Sequence, residues 1–198
     1  MFIISLDQRL THLIFSLPHP SFINQFFSLM SAVGNYALVW IVVAIFFAGF
    51  EEAKNRKFIL PFALSIVTTS ILVGYVLKPF FARPRPYADV NKTQLADSQP
   101  LGNEQQALIS TSYPIDKSFP SGHAALSFTA AAVIGYFNKK RLWFFYIVAT
   151  FIAFSRVWLG VHYLGDIVAG AFVGWLVARL VLAMKIQKKT APCGRKEK

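Results

Sequence analysis

The sequence predicts an all-α fold, a polytopic transmembrane helix bundle of about five spans behind an N-terminal interfacial amphipathic helix. Three observations predict it. Hydrophobic residues fill 55% of the 198 positions and charged residues only 15%, with twenty Phe and four Trp. Several apolar stretches approach or exceed the roughly 20 residues that a helix needs to cross the hydrocarbon core; a soluble domain could bury one such helix but hardly several. Basic residues also gather at the ends of those stretches: Lys54, Arg56 and Lys57, then Lys139, Lys140 and Arg141, then six between Lys185 and Lys198. That is the pattern of cytoplasmic links under the positive-inside rule. It accounts for the formal charge of +11 without a nucleic-acid partner, because no basic stripe interleaved with aromatics follows a polar surface.

The elements follow in order along a single membrane-embedded domain, residues 1–198. Residues 1–30 form an interfacial N-terminal region. Residues 2–17 mix apolar positions with Asp7, Gln8, Arg9 and His12, too short and too charged for a comfortable span when a charge at mid-bilayer costs at least about 2.5 kcal/mol. A helix lying in the interface suits them; a sixth span results only if they cross. No basic region precedes the apolar start, so no cleavable signal peptide is expected. Pro18-His19-Pro20 ends this helix. The first span covers about 31–50, with 22–30 as its lead-in, and the second about 58–80, with Pro61 in its first turns. Residues 82–118 form a long outer loop rich in Pro, Asp, Asn, Gln and Ser. The third span covers about 121–137, the fourth 142–158 and the fifth about 163–184, where Gly170 and Gly174 offer a small-residue face for close packing. A basic tail, 185–198, stays in the cytoplasm and carries the single cysteine, Cys193, which excludes an internal disulfide and any multi-cysteine metal or redox site.

With the basic clusters inside, the 82–118 loop and the 160–165 turn share the outer side, and three polar clusters meet there. The first is Lys78-Pro-Phe-Phe-Ala-Arg83-Pro84-Arg85-Pro86, the second Phe119-Pro120-Ser121-Gly122-His123, and the third Ser155-Arg156 with His162 and Asp166. Lys78, Arg85 and Arg156 are cations near an interface, where burial is costly without a partner, and the planar fork of Arg suits phosphate. Ser121 and Gly122 stand where a helix begins, a natural anion site with room for close approach. His162 and Asp166, spaced i, i+4, face the same way on a helix, so the carboxylate can fix one imidazole nitrogen and leave the other as nucleophile or base. His123 offers a second imidazole to protonate a departing oxygen. Each residue alone has a plainer reading, as a snorkelling cation, a helix cap or a structural histidine. Asp166 within an apolar helix does not, and the plainer readings would have to hold in all three clusters at once. Two imidazoles, a carboxylate and three cations make a phosphoryl-transfer site. Arg83, also followed by proline, is a candidate to share Arg85's role, though the spacing favours Arg85.

Lys78 with Arg85-Pro86, then Pro120-Ser121-Gly122-His123, then Ser155-Arg156 with His162 and Asp166 match in order and spacing the motif Lys-x6-Arg-Pro, Pro-Ser-Gly-His, Ser-Arg-x5-His-x3-Asp. Over about residues 58–180 the chain therefore resembles the type 2 phosphatidic acid phosphatases of the lipid-phosphatase and vanadium-haloperoxidase superfamily. The resemblance implies that His162 attacks phosphorus to give a phosphohistidine, that Asp166 orients it, and that His123 protonates the leaving group. It implies that Lys78, Arg85, Ser121, Gly122 and Arg156 hold the phosphoryl oxygens, and that neither metal nor cofactor takes part. In size and layout the chain looks most like bacterial undecaprenyl-diphosphatases of the bacitracin-resistance type, which recycle the cell-wall carrier lipid at the outer leaflet of the cytoplasmic (inner) membrane, although Gly122 stands where some of those carry an acidic residue. The partners implied are a lipid phosphate or diphosphate and membrane lipids. Phosphatidylglycerophosphate, phosphatidic acid and a lipid A phosphate are the alternative substrates, and a non-catalytic phospholipid transporter is the alternative of another class.

Overall fold

The structure, a computed structural model, describes residues 2–34, 38–50, 58–86 and 117–190, all of them helix or connection. The 51–57 link, residues 87–116 of the expected outer loop, and residues 191–198 with Cys193 lie outside the described residues. Seven longer helices are described, α1 (Phe2–Phe15), α2 (Ser21–Val33), α3 (Leu38–Phe50), α4 (Ile59–Phe81), α5 (Gly122–Phe137), α6 (Leu142–Trp158) and α7 (Leu164–Thr190), with a 3-10 turn, Lys139–Arg141, leading into α6. By length and composition, three helical stretches can cross a membrane, Ile59–Phe81, Lys139–Trp158 and Leu164–Met184, and α5 is a shorter apolar helix. The protein is a helical membrane protein, as the apolar runs predict.

α5 is the axis of the bundle. Ala124, Ala125, Ala130, Ala131, Ala132, Val133 and Ile134 are buried along it, together with Ser127 and Thr129. With one small residue after another, α5 lets its neighbours approach closely, which is how membrane helices gain packing contacts without a hydrophobic drive between them. Gly170 of α7 faces Ser121 and Ala124, and Gly174 faces Ala125 and Thr129; a side chain at either glycine would collide with α5. The expected small-residue face of α7 thus meets the axis. Polar links add to the apolar contacts. Thr129 Oγ1 donates to the Gly174 carbonyl at 3.0 Å, so the 2.9 Å contact with Thr69 Oγ1 must use the Thr69 proton. That chain ties α4, α5 and α7 together, and Trp40 Nε1, donating to Ser127 Oγ at 3.1 Å, ties in α3.

α1 docks at one end of this bundle, with Ile14 against the Ala153 and Val157 cluster and a polar stripe beside it. Asp7, Thr11 and Phe15, four residues apart and therefore on one face, meet Gly165, Leu164 and Gly160 respectively. Gly160 has φ +68°, a conformation glycine adopts without a Cβ clash, and a Cβ there would sit 2.9 Å from the Phe15 ring. Leu6, Leu10 and Leu13 are exposed on α1, in keeping with an interfacial helix. The 18–20 corner then feeds α2, which begins after Pro20 and lies along α6: Phe27 packs on Phe154 and Trp158, and Asn24 Oδ1 accepts from Trp158 Nε1 at 2.9 Å.

Three boundaries differ from the sequence reading. Residues 31–33 belong to α2 rather than opening the first span, because Ser31 continues the face that packs on α6. α4 contains a π-helical segment, Leu72–Leu77, just before Lys78; the wider turn re-aims the residues that follow, a feature common near functional sites. α7 runs on to Thr190, beyond its apolar portion, since Lys and Gln are good helix formers outside the membrane as well.

Candidate active site

The ends of α4, α5, α6 and α7 that meet beneath α1 carry all eight residues singled out from the sequence. α4 stops when Ala82 enters the left-handed region, φ 47°, with its N–H on the Lys78 carbonyl at 3.0 Å. Such a conformation costs a non-glycine residue roughly 1–2 kcal/mol. It turns Arg83-Pro84-Arg85 back across the bundle end, where Ser118 N–H closes onto the Arg83 carbonyl at 2.9 Å. Ser121 is the N-cap residue of α5, and its backbone N–H donates to the Asp166 carbonyl at 3.0 Å, joining α5 to α7. The short turn 159–163 folds back so that the N–H groups of Val161 and His162 both donate to the Arg156 carbonyl.

His162 is buried, and its two nitrogens have different partners. Nδ1 lies 3.3 Å from Asp166 Oδ2 and 3.3 Å from Ser118 Oγ, and Nε2 lies 3.3 Å from Arg85 Nη1. A guanidinium can only donate, so Nε2 is the acceptor and the ring proton sits on Nδ1, toward Asp166. The tautomer thus follows from the partners. Burial, with the charges of Arg85 and Arg156, lowers the His162 pKa to about 4, against the pull of Asp166. The ring is therefore neutral at pH 7, with its Nε2 lone pair available.

Asp166 is fully buried and collects four donors. Ser118 Oγ forms a short hydrogen bond to Oδ2, Tyr163 N–H reaches the same oxygen at 2.9 Å, His162 Nδ1 is the third donor, and Arg83 Nη1 meets Oδ1 at 2.8 Å. The Tyr163 contact is the back-bond of a capping box, an acid at the third helical position satisfying the N-cap N–H. Arg85, itself buried, is pinned by Nη1 donating to the Val161 carbonyl at 2.9 Å.

Lys78 lies within the charge field of Arg85, Arg156 and Asp166, and His123 within that of Arg156, His162, Lys78 and Arg85. Gly34, after the last turn of α2, closes over the His123 ring: a Cβ there would be 3.0 Å from Cδ2. Among the described residues, a Cβ on Gly122 would find only Val73, at 4.0 Å, so none of them crowds the α5 N-terminus there. Arg156 Nη1 donates to Ser31 Oγ in a short contact, whereas its Nε and the Ser121 Oγ are buried with no hydrogen-bond partner among the described residues. Buried polar atoms left unpaired cost roughly 1–3 kcal/mol each. Both are donors, one beside Arg85 and one at the N-terminus of α5, and a polyoxygen anion is the partner that such donors suit.

Four residues at this end escaped the sequence reading or were given another part. Arg83, a candidate to share Arg85's role, joins Asp166 to Asp7 (Nη2–Oδ2, 2.7 Å) and lies 3.9 Å over the Tyr163 ring. Ser118 reads as one more serine of a polar loop and Ser31 as the edge of a span; neither carries a signal in a single sequence. Asp7 counted only as a charge opposing membrane entry, although its four-residue spacing from Thr11 and Phe15 does mark a docking stripe.

Relatives share this architecture. The crystal structure of Aquifex aeolicus LpxE superposes with a TM-score of 0.67 at 25% identity, covering 90% of this chain and 95% of that one. The chain is 32% identical over 132 residues to the bacitracin transport permease protein BcrC of Bacillus licheniformis (66% of this chain), and 31% over 156 residues to an undecaprenyl-diphosphatase of Sulfolobus acidocaldarius (78% of this chain). It spans 57% and 66% of the length of those two relatives. A lipid A 4'-phosphatase of Porphyromonas gingivalis is 27% identical over 189 residues, 91% of this chain and 73% of its own. Residues 58–189, from the residue before α4 to the penultimate residue of α7, match the family model of the PAP2 superfamily, and the chain belongs to that superfamily.

Proposed function

We propose that the protein is a metal-independent lipid phosphatase that hydrolyses undecaprenyl diphosphate to the monophosphate at the outer face of a bacterial cytoplasmic membrane, recycling the carrier lipid. The observation that carries the catalytic part is the geometry of His162, with Nδ1 on Asp166 and Nε2 beside Arg85, together with Arg156 Nε and Ser121 Oγ, buried without a hydrogen-bond partner among the described residues. The choice of lipid is supported by the undecaprenyl-diphosphatase of 31% identity.

In this mechanism Nε2 of His162 attacks the terminal phosphorus. A nitrogen–phosphorus bond forms as the bond to the bridging oxygen breaks; His123, protonated once the bound diphosphate offsets the charges of Arg156, Lys78 and Arg85 around it, gives its proton to that oxygen, which leaves as undecaprenyl monophosphate. His123, now neutral, takes a proton from water; the water oxygen attacks the phosphohistidine, and inorganic phosphate and free His162 result. Asp166 stabilises the charge that builds on the imidazole during attack. Lys78, Arg85, Arg156, Ser121 Oγ and the backbone at Gly122 hold the three equatorial oxygens, where most of the transition-state charge lies.

The test is phosphate release in detergent from undecaprenyl diphosphate, phosphatidylglycerophosphate, phosphatidic acid and a lipid A phosphate, with His162→Ala as control. The expected result is fastest turnover of undecaprenyl diphosphate and none in the variant. Rapid turnover of another lipid beside negligible turnover of undecaprenyl diphosphate overturns the substrate, and hydrolysis by His162→Ala overturns the nucleophile. A lipid transporter would bind these lipids and release no phosphate.

A further inference from the structure

We propose that Asp7 is a positioning residue for the reaction: through Arg83 it steadies the Asp166–His162 pair, which makes the N-terminal helix α1 part of the catalytic apparatus. The proposal rests on the reading of His162 as nucleophile. Both oxygens of Asp7 are committed. Oδ1 accepts from Gly165 N–H at 2.7 Å, capping α7 one residue before Asp166, and Oδ2 accepts from Arg83 Nη2 at 2.7 Å. The other terminal nitrogen of the same guanidinium holds Asp166 Oδ1 at 2.8 Å. One planar, rigid group therefore spans two carboxylates, and its stacking on Tyr163 at 3.9 Å fixes the plane. Gly165 leaves the room required, since a Cβ there would sit 2.9 Å from Asp7 Oδ2.

The arrangement has an electrostatic consequence with a definite sign. Among the described residues, the charged and titratable groups acting on His162 come from each neighbouring element: Asp166 on α7, Arg156 on α6, His123 on α5, Arg85 after the end of α4, and, one step further out, Arg83 on Asp166 with Asp7 of α1 behind it. Asp7 offsets the positive charge of Arg83, so Asp166 keeps more of its negative charge for the imidazole. Without Asp7, the uncompensated Arg83 draws on Asp166 and opposes proton uptake by His162, which lowers both its pKa and its strength as a nucleophile. Without Arg83 the opposite holds: the pKa of His162 rises.

A cap alone behaves differently, and the variants separate the two roles. Asp7→Asn keeps an oxygen for Gly165 N–H and loses the ion pair. Arg83→Gln removes the bridge. Thr11→Ala removes a different acceptor on the same helix end, Thr11 Oγ1 on Leu164 N–H at 3.0 Å, and leaves the ion pair intact. Hydrolysis of the lipid that the wild-type protein turns over fastest is followed against pH, on full-length protein in detergent. In Asp7→Asn, kcat falls about 10- to 100-fold, the range for partners that orient a reacting group, and the acid limb of kcat/KM moves to lower pH. In Arg83→Gln the limb moves to higher pH, in the double variant it returns toward the wild-type position, and in Thr11→Ala it stays in place while thermal stability drops. Limbs that do not move, or that move in the same direction in both single variants, overturn the proposal. If Asp7→Asn does not fold, an unmoved limb in Arg83→Gln overturns it alone. His162→Ala in the same assay keeps the two ideas apart: its silence upholds the nucleophile whatever Asp7 does, and its activity overturns the reading beneath the proposal.

Discussion

Arg85 Nη1 stands 3.3 Å from His162 Nε2 and 2.9 Å from the Val161 carbonyl, so a fixed cation occupies the approach to the nitrogen that carries the lone pair. In the resting protein this contact helps keep the imidazole neutral. In the reaction the same guanidinium would shift its donors to the phosphoryl oxygens beside that nitrogen. Arg85→Lys keeps the charge but loses the fork. Loss of one fixed donor to a developing oxyanion lowers kcat by about 10²–10³, and that is the expected outcome in steady-state phosphate release. A kcat within threefold of wild type would mean that Arg85 does not touch the transferred group.

The pH profile follows from His162. Its pKa is lowered to about 4, chiefly by burial, so kcat/KM should hold down through pH 6 and fall only near that value. The same shift acts on stability. Between about 4 and the ordinary imidazole value of about 6.5, the unfolded chain binds a proton that the folded chain does not. This contribution is therefore complete above the upper limit and is lost as pH falls through the window. Thermal unfolding in detergent at pH 7 and pH 5 should show the decline, and His162→Gln should show a smaller one. An acid limb centred near 6.5 would indicate an imidazole in contact with water.

How much of this was legible beforehand depends on the range of the signal. The second to fifth apolar stretches were readable because apolar length is a local property, and α4–α7 begin or end within two residues of where that length places them. The three clusters were readable because their spacing is short and their residue types are expensive inside a membrane. The partners of Asp166 were not. Ser118 and Arg83 lie 48 and 83 positions away, and a serine in a serine-rich loop looks like any other. Asp7 was counted for its cost in lipid, whereas its stripe with Thr11 and Phe15 carried the information. The π-helical segment before Lys78 and the left-handed Ala82 had no local signature, since Leu72–Leu77 reads as plain apolar helix and alanine is the residue least suggestive of a stop.

Ser118→Ala tests the least legible of these contacts. The hydroxyl donates to Asp166 Oδ2 and lies 3.3 Å from His162 Nδ1, so its loss leaves a buried carboxylate oxygen short of a donor. A charge-assisted hydrogen bond contributes about 1.5–3 kcal/mol; with part of that lost in the transition state, kcat should fall about 10- to 100-fold with little change in KM. A raised KM at constant kcat would instead assign Ser118 to substrate binding.

Chelation should leave hydrolysis intact. Among the described residues, no three His, Cys, Asp or Glu side chains gather as a metal site, and Asp7 and Asp166 are both already engaged by Arg83. A two-metal site needs several carboxylates free to bridge. Phosphate release after EDTA treatment and desalting should match the untreated protein; complete loss with rescue by one divalent ion would contradict the proposed mechanism.

The Thr69–Thr129–Gly174 chain predicts a change confined to stability. Thr129 both accepts from Thr69 and donates to the Gly174 carbonyl, in the middle of the closest helix contact of the bundle and away from the catalytic end. Thr129→Val keeps the shape and removes both bonds. Interhelical hydrogen bonds in membrane proteins contribute about 0.6 kcal/mol on average and up to about 1.7, so the two together should be worth roughly 1–3 kcal/mol. The expected result is a lower unfolding midpoint in detergent with kcat and KM unchanged in the variant that remains folded. If kcat fell while the midpoint held, the packing of α7 against α5 would be transmitting to Asp166, and the separation drawn here between the bundle axis and the site would be wrong.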